Sequence, residues 1–242
     1  MSEFLILIPA RFNSSRFPGK PLAKINNKTM IQYVYENCKK SGFDTFVVTD
    51  NDDIEKEVNS FDGETLRVDD DVETGSERIA LAYQRHLAGK DYKYIINVQG
   101  DEPLLKSNEI KRIAQFHSDN NYDIATAVKE RSSDESDFNN PNVVKCIYSK
   151  MTRQCLYFSR EAIPFSRDSV EHDWYQHIGI YSYKVEALER FVSLKPGKYE
   201  TTERLEQLRA LENRMTIGAM LTDLNLIGVD SPSDIKKIEG IL

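Results

Sequence analysis

Phe4-Leu-Ile-Leu-Ile-Pro-Ala-Arg-Phe-Asn-Ser-Ser-Arg-Phe-Pro-Gly-Lys-Pro21 sets the terms for the rest of the chain. The apolar run from Phe4 to Ile8 has the length of a buried strand. A polar loop follows it directly and carries three cations, Arg11, Arg16 and Lys20. Asn13, Ser14, Ser15 and Gly19 are small or turn-forming, so backbone N–H groups can face outward between those cations. Fixed cations beside exposed amides form a receptor for a polyanion such as a triphosphate. The plain alternative is a basic surface loop after a first strand, and the loop alone does not choose between the two. It is not a Walker A loop, and no Gly-x-Gly-x-x-Gly is present, which removes the glycine fingerprint of a nicotinamide-dependent dehydrogenase.

Working outward, the alternation continues. Helix is expected over 30–40, with Gly42 as its stop, and strand over 45–48. An acidic first turn opens a helix over 52–60, and 65–68 is strand. Such alternation argues for a parallel sheet with crossover helices, in which ligands bind beyond the carboxyl ends of the strands. Helix is expected over 79–86, strand over 94–98, helix over 107–118 and strand over 124–128. Residues 129–140 are polar and are expected to form a flexible loop. From Val143 the pattern changes to strands at 143–148, 154–158 and 178–183. That marks a smaller β-rich insert, at about 143–183, in a single domain of residues 1–242. A short helix over 186–192 precedes one over 201–213, whose Leu205, Leu208 and Leu211 are placed on its buried side. Strand is expected over 216–221, and Ser231-Pro232 starts a final helix.

The 242 residues are 40% hydrophobic and 29% charged, enough for a real core. The formal charge of −7 argues against a nucleic-acid partner. Cys38, Cys146 and Cys155 have no metal-ligand spacing and are expected to be reduced and structural. No basic region precedes a long apolar segment, and no run reaches membrane-spanning length, so a cytoplasmic protein without a membrane partner is expected.

The chemistry-bearing residues sit where the strands end. Asp101 follows the strand over 94–98, with Gly100 leaving room for a close approach. A carboxylate there suits Mg²⁺, and the alternative is a turn aspartate bonded to its own backbone. Asp230 closes Gly228-Val229-Asp230 in the same manner, or serves as a helix cap. Glu77 and Arg78 open a helix after Thr74-Gly75-Ser76, which suits a nucleotide contact or a capping sequence with a solvated ion pair. His177 adjoins a strand and reads as a packed histidine or a ligand. Glu203, Glu206 and Gln207 are expected on one helical face, solvated or holding sugar hydroxyls. Arg160 and Arg167 flank Ile163-Pro164-Phe165, beside surface acids.

Taken together, the motifs resemble the 3-deoxy-manno-octulosonate cytidylyltransferase family over nearly the whole chain. Those that carry the resemblance are Ile8-Pro-Ala-Arg-Phe-Asn-Ser-Ser-Arg-Phe-Pro-Gly-Lys20, Thr74-Gly-Ser-Glu-Arg78, Asn97-Val-Gln-Gly-Asp-Glu-Pro103, Tyr157-Phe-Ser-Arg160, His177-Ile-Gly-Ile-Tyr181, Leu205-Glu-Gln-Leu-Arg209 and Gly228-Val-Asp230. The resemblance implies an α/β fold: a mostly parallel, Rossmann-like nucleotidyltransferase sheet with helices on both faces and a smaller β-rich dimerisation subdomain. It implies a cytoplasmic homodimer that uses Mg²⁺ to couple CTP to an acidic 3-deoxy sugar (Kdo) for lipopolysaccharide synthesis, releasing pyrophosphate. By the same resemblance Arg11, Arg16 and Lys20 bind the triphosphate, and Arg16, Lys20 and Asp101 are catalytic. Pro9, Ala10, Ser76, Arg78 and Gly100 contact the nucleotide, and Asp101 and Asp230 hold the metal. Gln99, Arg160, His177, Tyr181, Glu206 and Gln207 face the sugar acid, and the segment from Trp174 to Tyr183 contributes to the dimer contact.

Departures from the family pattern leave the sugar open. The first, Thr74-Gly-Ser-Glu-Arg78, is a small one that keeps a hydroxyl. Ser182 stands in place of a usual glycine, and Tyr199-Glu200 in place of Leu-Glu. The 8-amino analogue of Kdo, or another 3-deoxy acid sugar, is the alternative substrate. A nucleotide-binding sensor without catalysis is the reading from a different class; it has no need of aligned Lys20, Asp101 and Asp230.

Overall fold

The structure is a computed structural model, and it describes residues 2–12, 17–132, 136–168, 172–225, 228–229 and 231–241. Arg16 and Asp230, both expected at the site, lie outside the described residues. The chain divides into two compact units, residues 1–111 with 225–242, and residues 112–224.

In the first unit the apolar run becomes β1 (Phe4–Pro9), all six residues of which are buried. A hairpin of β2 (Lys24–Ile25) and β3 (Lys28–Thr29), which the sequence reading did not anticipate, turns at Asn26 with φ 53°. Then come α1 (Met30–Lys39), β4 (Asp44–Thr49), α2 (Asp52–Ser60), β5 (Thr65–Arg67), α3 (Gly75–Ala82) and β6 (Tyr94–Asn97). The strand order is β5-β4-β1-β6 and every pairing is parallel, with Ile8 opposite Val47 and Leu7 opposite Asn97. A strand flanked on both sides and covered on both faces must be apolar throughout, which explains the unbroken run in β1. Asn51 caps α2 by accepting from the amides of Asp53 (3.0 Å) and Ile54 (3.1 Å). The helix expected over 79–86 instead starts at Gly75 and ends in a π turn over Tyr83–Leu87.

Helix α4 (Ser107–Asp119) carries the chain across the boundary between the units. The second unit contains β7 (Ile124–Ser132), β8 (Lys145–Ser149), β9 (Gln154–Ser159), β10 (Asp173–Lys184), α5 (Val185–Ser193), α6 (Lys198–Glu203), α7 (Gln207–Glu212) and β11 (Ile217–Leu221). Its pairings run round a ring: β10 with β7, β7 with β11, β11 with β9, β9 with β8, and β8 with β10. Of these only β11 with β7 is parallel.

Two expectations fail here for physical reasons. Residues 129–132 are not loop; they extend β7, with Lys129 opposite Gln176 and Ser132 opposite Asp173. A long partner strand supplies the hydrogen bonds, so polar side chains simply alternate outward, and a 3₁₀ turn follows over Ser136–Asn139. The single helix over 201–213 is two helices, because Arg204 adopts the left-handed conformation (φ 51°) and ends α6. The leucine spacing runs through the break unchanged, so periodicity could not reveal it.

The last helix, α8 (Pro232–Glu239), belongs to the first unit and starts with Ser231 at its cap, as expected, where Asp234 Oδ2 also accepts from the Ser231 N–H at 3.0 Å. It closes an apolar cluster of Ile25, Met30, Val229 and Ile238, against which Phe17, Tyr33, Leu104 and Ile235 pack. All three cysteines are free and buried. Among the described residues no helix is long and apolar enough to cross a membrane.

Candidate functional site

The expected nucleotide residues that are described gather at the carboxyl ends of β1, β4 and β6. Pro9 is the last residue of β1, and Ala10 N–H still bonds to Val48 O at 2.9 Å. The turn after β6 lies against it: a Cβ on Gly100 would stand 3.1 Å from Pro9 O and 3.6 Å from Ile31 Cδ1. Only glycine lets the two strand ends approach so closely. Gly75 is close to Pro9 as well: a Cβ on it would stand 3.2 Å from Pro9 Cγ.

Arg11 follows at once, and its Nη2 is buried with no hydrogen-bond partner among the described residues. Burial, and next the charge of Arg78, lower its pKa, while Asp50, Glu77 and Asp71 oppose the shift. A guanidinium held beside a second cation with an unused N–H is poised to receive an anion. Arg78 itself is 2% exposed and its fork is engaged: Nη1 donates to Val68 O at 2.6 Å, and Nη2 meets Asp50 Oδ2 at 2.9 Å. The solvated Glu77–Arg78 pair weighed from sequence does not form. Glu77 instead closes a capping box with Thr74, and Ser76 is buried in the first turn of α3.

Lys20 starts a single 3₁₀ turn after Gly19, which is left-handed at φ 71°. Its Nζ donates to Asp101 Oδ2 at 2.6 Å and to Val229 O at 2.8 Å. Val229 N–H in turn donates to Asp101 O at 3.1 Å, so the segment just before Asp230 is tied to the Asp101 turn. Gln99, on the same turn, reaches Asn97 Oδ1 at 3.4 Å. Sequence reasoning overlooked Glu102. Burial, with the neighbouring Asp101 charge second, pushes its carboxyl well above the usual range, and its Oε2 has no partner. The Asp-Glu dipeptide at a buried strand end was the available signal, since two adjacent carboxylates do not ionise there with equal ease. Asp101 presents a hard oxygen donor that already faces a cation, which fits Mg²⁺ chemistry. Among the described residues no cluster of three or more acidic, His or Cys side chains is set to hold a metal alone.

The second unit holds the remaining candidates. His177 and Tyr181 lie on β10 with ring centroids 5.4 Å apart, and Phe158 meets His177 edge-on at 5.1 Å. Thr126 Oγ1 lies 3.0 Å from His177 Nε2 and also reaches the carbonyls of Ile178 and Ile180. A hydroxyl has one proton, and carbonyls only accept. Thr126 therefore donates to a carbonyl and accepts from His177 Nε2–H, which leaves Nδ1 as an acceptor. Burial lowers the His177 pKa to about 4, so the ring is neutral at pH 7. Burial also raises Tyr181 well above its usual value, with the charge of Glu206 contributing. Gln207 is buried in the first turn of α7.

Glu203 does not share a helical face with Glu206 and Gln207, because the break at Arg204 separates them. It accepts from Ser159 Oγ at 2.7 Å and Arg160 N–H at 2.8 Å. The Arg160 guanidinium is held by carbonyls alone: Glu203 O (2.7 Å), Pro141 O (2.9 Å) and Arg204 O (3.3 Å). No carboxylate neutralises it among the described residues, so its charge remains available to an acidic ligand. Ser182, the departure from glycine, points into the core, where its Oγ donates to His117 Nδ1 at 2.8 Å. Tyr199 is half exposed, with its ring edge-on to Tyr157.

Comparison with known proteins places the whole chain in one family. The cytidylyltransferase family model matches residues 5–217. A 3-deoxy-manno-octulosonate cytidylyltransferase of Thermodesulfovibrio yellowstonii is 41% identical, covering 98% of this chain and 97% of its own length. An 8-amino-3,8-dideoxy-manno-octulosonate cytidylyltransferase of Shewanella pealeana is 40% identical over 98% of this chain and 97% of its own. Among solved structures, CMP:2-keto-3-deoxy-manno-octonic acid synthetase complexed with CTP superposes with a TM-score of 0.92 at 31% identity, covering 99% of this chain and 98% of that one. With the family model spanning most of its length, and these relatives nearly all of it, this chain belongs to the 3-deoxy-manno-octulosonate cytidylyltransferase family.

Proposed function

We propose that this chain is a nucleotidyltransferase that transfers CMP from CTP to 3-deoxy-D-manno-octulosonate and releases pyrophosphate. The observation that carries the reading is the Lys20 ammonium seated on Asp101 Oδ2 and Val229 O, at the strand ends that also present Arg11. A sensor needs cations for binding, but not a lysine locked onto a carboxylate. The relatives' names supply the two substrates.

The sugar's anomeric hydroxyl attacks the α-phosphorus in line. The new O–P bond forms as the bond to the β-phosphate oxygen breaks, and the hydroxyl proton is lost to solvent. Positioning and charge neutralisation carry such transfers, and no covalent nucleophile is required. Arg11 takes the triphosphate through its unused N–H, with Arg16 assigned beside it by family resemblance. Lys20 meets the charge that grows on the phosphoryl oxygens. Pro9, Ala10 and Gly100 give the nucleotide a close approach to backbone, and the first turn of α3 at Ser76 faces the same side by resemblance. Asp101 with Asp230 would hold Mg²⁺, which when bound polarises the α-phosphate and orders the sugar. Arg160 binds the sugar carboxylate with its uncompensated charge, and His177 Nδ1 accepts from a sugar hydroxyl. Gln99, Tyr181, Glu206 and Gln207 complete the recognition of hydroxyls. A cytoplasmic homodimer on a Rossmann-like core is the setting that the family resemblance supplies. The segment from Trp174 to Tyr183 is assigned to the dimer contact by the same resemblance.

Pyrophosphate release with CTP and Mg²⁺, run in parallel with Kdo and its 8-amino analogue, tests the reading. Turnover with Kdo is expected. Turnover confined to the amino sugar moves the assignment to that substrate, and CTP binding without release with either sugar refutes it.

A further inference from the structure

Lys145 is buried on β8, between the strand that leads into Arg160 and the strand that carries His177. It pairs with Ser159 of β9 on one side and with Gln176 of β10 on the other. Its Nζ donates to three backbone carbonyls: Asn140 O at 3.1 Å, Val143 O at 2.9 Å, and Arg160 O. The turn over 140–144 is held from two more directions. Arg160 Nη1 takes Pro141 O at 2.9 Å, and His177 N–H takes Val144 O at 2.9 Å. Four of five consecutive carbonyls are thus bound by the ammonium, the guanidinium or the His177 amide.

A buried ammonium satisfied only by neutral carbonyls is costly, and burial lowers the Lys145 pKa, with Glu161 and Glu203 opposing. A methionine would fill nearly the same volume without that cost, so space-filling does not account for a lysine. What the ammonium does, and an apolar side chain cannot, is join the Arg160 backbone to the turn that grips the Arg160 guanidinium. We propose that Lys145 is a positioning residue for the acidic sugar, tying Arg160 and the His177 backbone to the 140–144 turn before substrate arrives. The inference rests on the reading that Arg160 and His177 contact the sugar acid. It adds a residue that touches neither substrate.

The test compares Lys145→Met, Lys145→Gln and Arg160→Ala by pyrophosphate release, measuring KM for the sugar acid and for CTP separately, with thermal unfolding of each variant. Loss of a charge-assisted contact network corresponds to a rise of about tenfold or more in sugar KM. That rise is expected for Lys145→Met, with KM for CTP within about twofold of the parent. Lys145→Gln, which keeps N–H donors, is expected to fall between. In an Arg160→Ala background, Lys145→Met should add little, because the two act through one element. If Arg160→Ala raises sugar KM while both Lys145 variants leave it unchanged, the positioning role is wrong and the substrate reading stands. If Arg160→Ala leaves sugar KM unchanged, the substrate reading fails and takes this inference with it. Equal rises in both KM values alongside lost stability, or failure of both Lys145 variants to fold, assign Lys145 to the fold and overturn the proposal.

Discussion

Lys20→Met keeps the length of the side chain and removes its charge. In the folded protein the lysine side chain is 14% exposed and its partner Asp101 32% exposed, so the ion pair is partly screened by water. A pair in that setting contributes about 1 kcal/mol at most, and the bond to Val229 O about another 1 kcal/mol. For a chain of this size that corresponds to a fall in Tm of roughly 2–8 °C. The catalytic loss is expected to be larger. Deleting one preorganised donor to developing negative charge costs about 10²–10³ in turnover, or roughly 3–4 kcal/mol. Steady-state pyrophosphate release separates the two, since kcat should fall by that factor while KM for CTP changes by less than about tenfold. Turnover within about threefold of the parent would refute the assignment. An effect confined to KM would reduce Lys20 to a binding contact.

Asp101→Asn is expected to abolish turnover while the protein stays folded, its Tm lowered only by the few degrees that loss of the Lys20 ion pair costs; substantial activity would sink the metal assignment. The Glu200–Arg209 pair is bidentate, at 2.8 and 2.6 Å, and buried against Phe191, so Glu200→Gln should destabilise by about 3–5 kcal/mol in chemical denaturation. A loss under about 1 kcal/mol would mean the pair is not buried as described. His117 is held neutral by burial, its pKa lowered to about 4, with Ser182 and Tyr122 O on its two nitrogens. The unfolded ring protonates near pH 6.5 while the folded one resists to about 4, so stability is expected to fall as pH drops through that window. His117→Gln should flatten the decline, and an unchanged slope of Tm against pH would contradict the burial of a neutral ring.

Most of the first unit was legible because its signals are local. An apolar run, an acidic first turn and a Ser-Pro helix start each act within a few residues, and β1, α2 and α8 followed from them. The candidate site was legible as motifs at strand ends, and Lys20 with Asp101 does come together. Illegible features depended on partners far away in sequence. Lys129–Ser132 are polar and become strand only because β10 offers hydrogen bonds. The leucines of 205–211 keep a helical spacing across a break set by one left-handed residue. Arg78 engages Asp50 and Val68 O, partners that the local Glu77-Arg78 dipeptide does not reveal. Lys145 is an ionisable side chain whose burial no local pattern betrays.

The bond from Lys20 to Val229 joins positions 209 apart in sequence, and the cluster of Ile25, Met30, Val229 and Ile238 closes at the same place. This imposes an order on biogenesis. A ribosome must make the whole of the second unit before the first can be sealed, so Ile25 and Met30 emerge early and wait uncovered. Long-range closure of this kind is slow and leaves apolar surface open to aggregation. The nascent protein is therefore most vulnerable during synthesis, and Lys20 is locked in place only when the α8 segment docks.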